Sequence, residues 1–276
     1  SAQIGTTSGI YAEFYQPLNA EQTVFVQPVL SYLDDSTPVY EDNRRIAEYE
    51  SETLALGIYG GMNFGQLGWI RAGWLQRHLD NSVQTGAPTL PSDERWVGGL
   101  HIDLSLDQTD TLYFPSEGWK ASVEYFDSSS EGYSKLEAEA GAAWPLMDDI
   151  VLTGRIAGAM SPRGRLPAYD AVSLGGFRNL SGFARDQIIG DQVAFASLSA
   201  EYILGHMPLG LSGDFRLGLS LEGGKVDGRY TETRLDGWLG SAAVYLGGET
   251  PVGPVYLGYG YADRGGSNLV LFIGTP

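Results

Sequence analysis

His101, Asp103 and Ser105 are spaced two residues apart, so an extended strand carries all three on one face. A histidine between a carboxylate and a hydroxyl is the arrangement of nucleophilic acyl-transfer chemistry. Period-two alternation, however, already requires polar residues on that row, and lining a water-facing surface explains them without catalysis. The chain contains no Gly-x-Ser-x-Gly nucleophile elbow. His78 and His206 are its only other histidines. No catalytic residue is therefore assigned.

Three acidic clusters, Asp34-Asp35, Glu48-Glu50-Glu52 and Asp148-Asp149, supply hard oxygens of the kind calcium accepts. Acidic residues facing the lumen or loops account for them more simply, and no metal site is assigned. Gly60-Gly61 and Gly223-Gly224 lack the helix and the Lys-Ser/Thr of a phosphate cradle, so no cofactor is expected. The absence of cysteine excludes disulfides and cysteine-ligated zinc. With 34 acidic against 17 basic residues, a net charge of −17, the chain offers no broad cationic face, and no nucleic-acid partner is expected.

The elements that position these residues are strands. In 209–223, Leu209, Leu211, Phe215, Leu217, Leu219 and Leu221 share one face, with Ser212, Asp214, Arg216, Ser220 and Glu222 on the other. Trp96, Leu100, Ile102, Leu104 and Leu106 alternate in the same way with His101, Asp103, Ser105 and Asp107. Further rows follow at 119–125, 136–144 and 238–246, and no window shows a helical stripe. The uncharged stretch 53–70 approaches the length of a membrane helix, but its five glycines read as two strands and a turn. About thirteen strands emerge, many roughly 10 to 15 residues long, against a soluble mode of about 5 to 6 and a spanning requirement of about 9 to 11.

Such strands suit a bilayer barrel, in which lipid-facing and lumen-facing residues alternate. The mean hydropathy of −0.12 averages over the two faces. Trp69, Trp74, Trp96, Trp119, Trp144 and Trp238 lie in or at the ends of strands, where interfacial girdles place aromatics. Glu48, Glu50 and Glu52 continue in register into Leu54, Leu56 and Ile58, as in a strand leaving the membrane. A soluble sandwich with aromatics in its core is the competing architecture. The opening residues, Ser1 to Gly5, carry neither a basic n-region nor an apolar h-region.

One segment, about 162–190, breaks the alternation and concentrates Arg163, Arg165, Arg178 and Arg185 among glycines. Its basic residues would meet an acidic interior, so an inward-folding loop is expected. Within it, Leu174-Gly175-Gly176-Phe177-Arg178-Asn179-Leu180-Ser181-Gly182-Phe183 resembles the characteristic loop of the bacterial surface-antigen superfamily. That superfamily comprises the outer-membrane barrel-assembly insertase, the two-partner secretion transporters, and barrels fused to patatin-like phospholipases. Tyr113-Phe114-Pro115-Ser116-Glu117-Gly118 resembles its Phe-Pro-x-x-Gly turn, Ser220 to Val226 its acidic glycine-containing strand end, and Thr250 to Gly260 its penultimate strand. Leu269 to Pro276 is similar to its last strand.

The resemblance implies an all-β antiparallel transmembrane barrel of the sixteen-stranded type in the bacterial outer membrane. Five strands follow the loop (about 191–204, 208–224, 235–249, 253–263 and 267–276) and about eight precede it, beginning at Tyr11 to Pro17. Residues 1–276 would then form one barrel domain, with three strands, a periplasmic domain and any passenger outside this sequence. The loop tip departs from the superfamily: Ser181 stands where its Val-Arg-Gly-Phe motif has arginine. The form Gly-Phe-x-Asn-Leu-Ser-Gly resembles the patatin-fused branch. Gly175, Gly176, Arg178, Ser181, Gly182 and Phe183 are the candidate structural or gating residues, with Glu222 and Glu201 as acidic partners for Arg178 or Arg185.

By resemblance, the barrel anchors, and translocates or displays, an N-terminal passenger, without enzymatic activity of its own. An insertase or two-partner transporter acting on separate polypeptides is the first alternative, and a lipid-hydrolysing barrel the second. The expected partners are membrane lipid, an own or separate passenger and, through an open sheet edge, a second copy of the chain.

Overall fold

The alternating strands pair side by side into one 15-stranded antiparallel sheet, accompanied by a separate two-stranded ribbon. The computed structural model describes residues 2–3, 7–86, 89–206, 214–250 and 253–274. Leu209, Leu211 and Ser212, together with Pro251 and Val252, lie outside the described residues, as do Ser1, Ile4 to Thr6 and the final two residues.

In chain order the strands before the loop are β1 (Ala2–Gln3), β2 (Thr7–Glu13), β3 (Gln16–Pro17), β4 (Val24–Glu41), β5 (Arg44–Asn63), β6 (Gly68–Gly86), β7 (Glu94–Asp107), β8 (Gly118–Ser128), β9 (Ser134–Met147) and β10 (Ile150–Arg163). The loop carries a 3-10 turn (Ala168–Asp170) and a ribbon of β11 (Val172–Leu174) and β12 (Ile188–Gly190). After it come β13 (Gln192–His206), β14 (Asp214–Asp227), β15 (Leu239–Thr250), β16 (Gly253–Ala262) and β17 (Gly266–Ile273).

Each wall strand pairs with its sequence neighbours, and β10 pairs directly with β13 across the loop. Before the loop, β2 and the seven long strands β4–β10 make the eight that the alternation indicated, and five follow it. The uncharged stretch 53–70 is the end of β5, a turn, and the start of β6. Two details differ from the sequence reading. The segment Tyr11 to Pro17 breaks after Glu13, and the loop is not structureless, because β11 and β12 zip its two arms together. Among the described residues no pairing joins β1 to β17, so the sheet runs as an open path.

The distribution of side chains is inverted relative to a soluble protein. On β14, Leu217, Leu219 and Leu221 are 41%, 55% and 62% exposed, while Arg216, Ser220 and Glu222 are 2%, 1% and 6% exposed. Trp74, Trp96, Trp119, Trp144 and Trp238 are likewise exposed. This is the pattern of a wall wetted by hydrocarbon outside and packed with polar groups inside, and it removes the soluble-sandwich reading. The apolar core lies within the sheet's curve. Leu174, Leu180, Phe183 and Ile188 of the loop pack on Phe195, Val226, Leu239 and Ala262 of β13–β16. Each such side chain contributes on the order of 1.5–3 kcal/mol by leaving water.

Candidate functional site

The loop segment 164–187 enters the concavity and is held on two walls. On its way in, the carboxylate of Asp170, only 7% exposed, meets Arg77 of β6 at 2.7 Å in a two-pronged pair. The Tyr133 hydroxyl donates to the same carboxylate. Burial alone would raise the Asp170 carboxyl, but the hydrogen bonds and charge of Arg77 outweigh it and hold the group below the usual carboxylate range. Arg77 also lies 4.4 Å over the Phe126 ring.

At its deepest point the chain reverses through positive φ at Gly175, Gly176, Arg178 and Leu180. The reversal is closed by the Gly175 N–H donating to Asn179 O at 2.8 Å and the Gly176 N–H to Phe183 O at 3.1 Å. It presents Ser181 to the opposite wall. The Ser181 N–H donates to Glu222 Oε2 at 2.6 Å and its hydroxyl to Oε1 at 2.7 Å, where the Ser220 hydroxyl also donates at 2.8 Å. The Gly182 N–H donates to the Ser241 hydroxyl at 2.8 Å, which in turn donates to Tyr261 O.

Glycine makes this approach possible. A Cβ on Gly182 would lie 2.2 Å from the Ala262 nitrogen, and one on Gly260 would lie 2.2 Å from Ser181 O. Backbone meets backbone, so neither side can yield. Gly260→Ala should therefore lift the tip from β16 at a cost of about 1–3 kcal/mol. Gly240→Ala on β15, with nothing within 4 Å of the new methyl, should be neutral. Urea midpoints of the two variants in detergent check this. Phe183 is fully buried, its ring filling the space beside Gly265.

The geometry corrects the expected charge pairing. Glu222 takes the Ser181 amide and hydroxyl instead of a loop arginine, which explains how a serine serves at this tip. Arg185 pairs with Asp35 of β4 and with its neighbour Asp186, both at 3.0 Å. Arg178 lies 5.6 Å from the Tyr245 ring centroid. It reaches Glu201 only indirectly, through the Tyr245 hydroxyl that donates to that carboxylate at 2.7 Å. The partner of Glu201 is Arg216 of β14, at 3.0 Å, with both side chains 2% exposed.

The residues with catalytic spacing do not assemble into a relay. His101 bridges the Tyr59 hydroxyl at 3.0 Å and Glu124 at 2.8 Å, while Asp103 pairs with Arg71 at 2.9 Å. Among the acidic clusters, Glu48 engages Ser36 and Arg45, and Glu52 accepts the Tyr32 hydroxyl. Sequence reading missed the Arg77–Asp170 clamp. Its signal was an arginine in the inward row of β6, between Leu75 and Leu79.

Comparison with known proteins agrees with this architecture. Residues 6–275 match the family model of the Omp85 superfamily domain. The fold is similar to the crystal structure of BamA from Haemophilus ducreyi lacking POTRA domains 1-3, with a TM-score of 0.73 at 14% identity over 96% of this chain and 61% of that one. CdiB from Escherichia coli superposes with a TM-score of 0.62 at 16% identity over 97% of this chain and 51% of that one. For CdiB from Acinetobacter baumannii the TM-score is 0.62 at 12% identity, over 93% and 46%. The chain thus spans between 46% and 61% of the length of these structures. No curated protein matches it in sequence.

Proposed function

Because the chain belongs to the Omp85 superfamily, we propose that its barrel anchors an N-terminal passenger in the membrane and serves its translocation or display. It is an Omp85-type β-barrel of the bacterial outer membrane. The observation that carries the reading is the loop seated on two walls, by Asp170 on Arg77 and by Ser181 on Glu222. A loop fixed in this way braces the lumen around which a covalently attached segment would pass. The Gly-Phe-x-Asn-Leu-Ser-Gly form of the tip supports a patatin-like passenger in particular. The barrel itself is proposed to carry no hydrolytic step, since His101 is engaged by Tyr59 and Glu124 and not by Asp103 or Ser105.

A second reading, an insertase or two-partner transporter acting on separate polypeptides, draws on the fold likeness to BamA and CdiB. An epitope at the N-terminus of the full-length protein distinguishes the two. Protease shaving of intact cells should remove the epitope, and deletion of residues 176–186 should protect it. If the epitope never reaches the surface while unrelated outer-membrane proteins decline on depletion, the insertase reading replaces the first.

A further inference from the structure

The Phe-Pro-x-x-Gly motif has no part in the loop's own seat, yet it lies directly beneath it. Residues 108–117 connect β7 to β8 at the end of the sheet opposite the loop's entrance. Adjacent antiparallel strands need only about two residues to join, whereas this connection is longer and folds inward. Asp110 shapes it by accepting the Ser116 and Glu117 amides at 2.9 and 3.2 Å. Its inner limb is then gripped by one wall residue. The Arg216 guanidinium donates to Phe114 O at 2.8 Å, Pro115 O at 3.2 Å and the Ser116 hydroxyl at 2.9 Å, while its charge is met by Glu201.

The turn and the loop meet in one aromatic cluster on the wall. The Phe114 ring, 4% exposed, packs against Tyr256 with centroids 5.1 Å apart, and Phe177 of the loop packs on the same Tyr256 at 5.4 Å. Gly247 and Gly258 leave the space these two rings occupy. Glu201 joins the two ends chemically, since it takes Arg216 below and the Tyr245 hydroxyl above, and Tyr245 lies under Arg178. On its outer limb Gln108 donates to Gln66 O at 2.7 Å, while Leu112 at the far end of the turn is 73% exposed.

We propose that the 108–117 turn is an inner plug, seated by Arg216, which closes the lumen at its periplasmic end and supports the loop tip from below. Short turns of such barrels face the periplasm, which sets the orientation. The plug is releasable because its inner limb, residues 114–116, is tied to the wall by polar contacts that converge on one guanidinium. This inference does not depend on which polypeptide the barrel handles.

The chain has no cysteine, so a single introduced thiol reports cleanly. In the full-length protein in detergent, Ser116→Cys should react slowly with a maleimide and Leu112→Cys quickly. Adding Arg216→Met should speed labelling at position 116 by about tenfold or more, the scale of a local opening, and leave position 112 unchanged. In planar bilayers, Arg216→Met should raise both the frequency and the size of openings. If Arg216→Met yields no heat-modifiable barrel, replacing residues 109–116 with Asn-Gly removes the plug and leaves the wall intact. That barrel should conduct more than its parent. Unchanged labelling at position 116 in a folded Arg216→Met barrel, or parental conductance after excision of the turn, overturns the proposal.

Discussion

Asp170→Ala is expected to unseat the incoming arm of the loop, because it leaves the Arg77 guanidinium in a site where its side chain is only 17% exposed. Removing one partner of a buried pair costs about 3–5 kcal/mol, mostly as the penalty of the stranded charge. The Tyr133 hydroxyl loses its acceptor in the same step. The doubly altered Arg77→Met, Asp170→Leu protein should recover much of the loss, since an apolar pair of similar volume carries no stranded charge. The pH dependence has a defined sign. The folded-state pKa of Asp170 is depressed, so its contribution is fully present above the unfolded value of about 3.9 and disappears as pH falls through the lower folded value. Wild type and Asp170→Ala should therefore differ in urea midpoint at neutral pH and converge only in strong acid. A constant gap down to the acid limit would show that the clamp is not electrostatic.

Glu222→Ala should release the tip. The carboxylate accepts the Ser181 amide, the Ser181 hydroxyl and the Ser220 hydroxyl, and both serines are 1% exposed. Each donor stranded without an acceptor or water costs about 1–3 kcal/mol. Glu222→Gln should recover only part of this, because one carboxylate oxygen becomes an NH2 group facing the Ser181 N–H. Exchanging charges between Arg178 and Glu222 should rescue nothing, since the two do not form a pair. Limited proteolysis within 176–186 measures the release, and an uncleaved loop in Glu222→Ala would refute the seat.

How legible the molecule was depends on the range of the forces involved. The wall strands could be read because the inside-outside alternation of a strand is written into adjacent residues, as at Leu217 to Glu222. The loop could be placed because it interrupts that rhythm. The acidic partner at Glu222 was identifiable by resemblance, but its contacts were not. They are made by a backbone amide and a hydroxyl that act only after the chain has reversed through left-handed residues such as Leu180. Arg77 with Asp170, and Arg216 with the carbonyls of Phe114 and Pro115, join positions about a hundred residues apart in sequence. No local pattern encodes such pairs. Glu201 was singled out correctly as an inward carboxylate but matched to a loop arginine, whereas its partner Arg216 stands on the neighbouring strand β14.

The outward row of β5 has a further use. At 20 residues the strand covers about 66 Å, or roughly 50 Å along the bilayer normal at the usual tilt, twice the height of an apolar band of about 25 Å. Its outward side chains run from Ile58, Leu56 and Leu54 to Glu52, Glu50 and Glu48 in equal steps. That sequence of side chains is a graduated scale. Bilayers of stepped acyl length would submerge or uncover it one mark at a time, so a fluorophore moved along it would read local membrane thickness in ångströms.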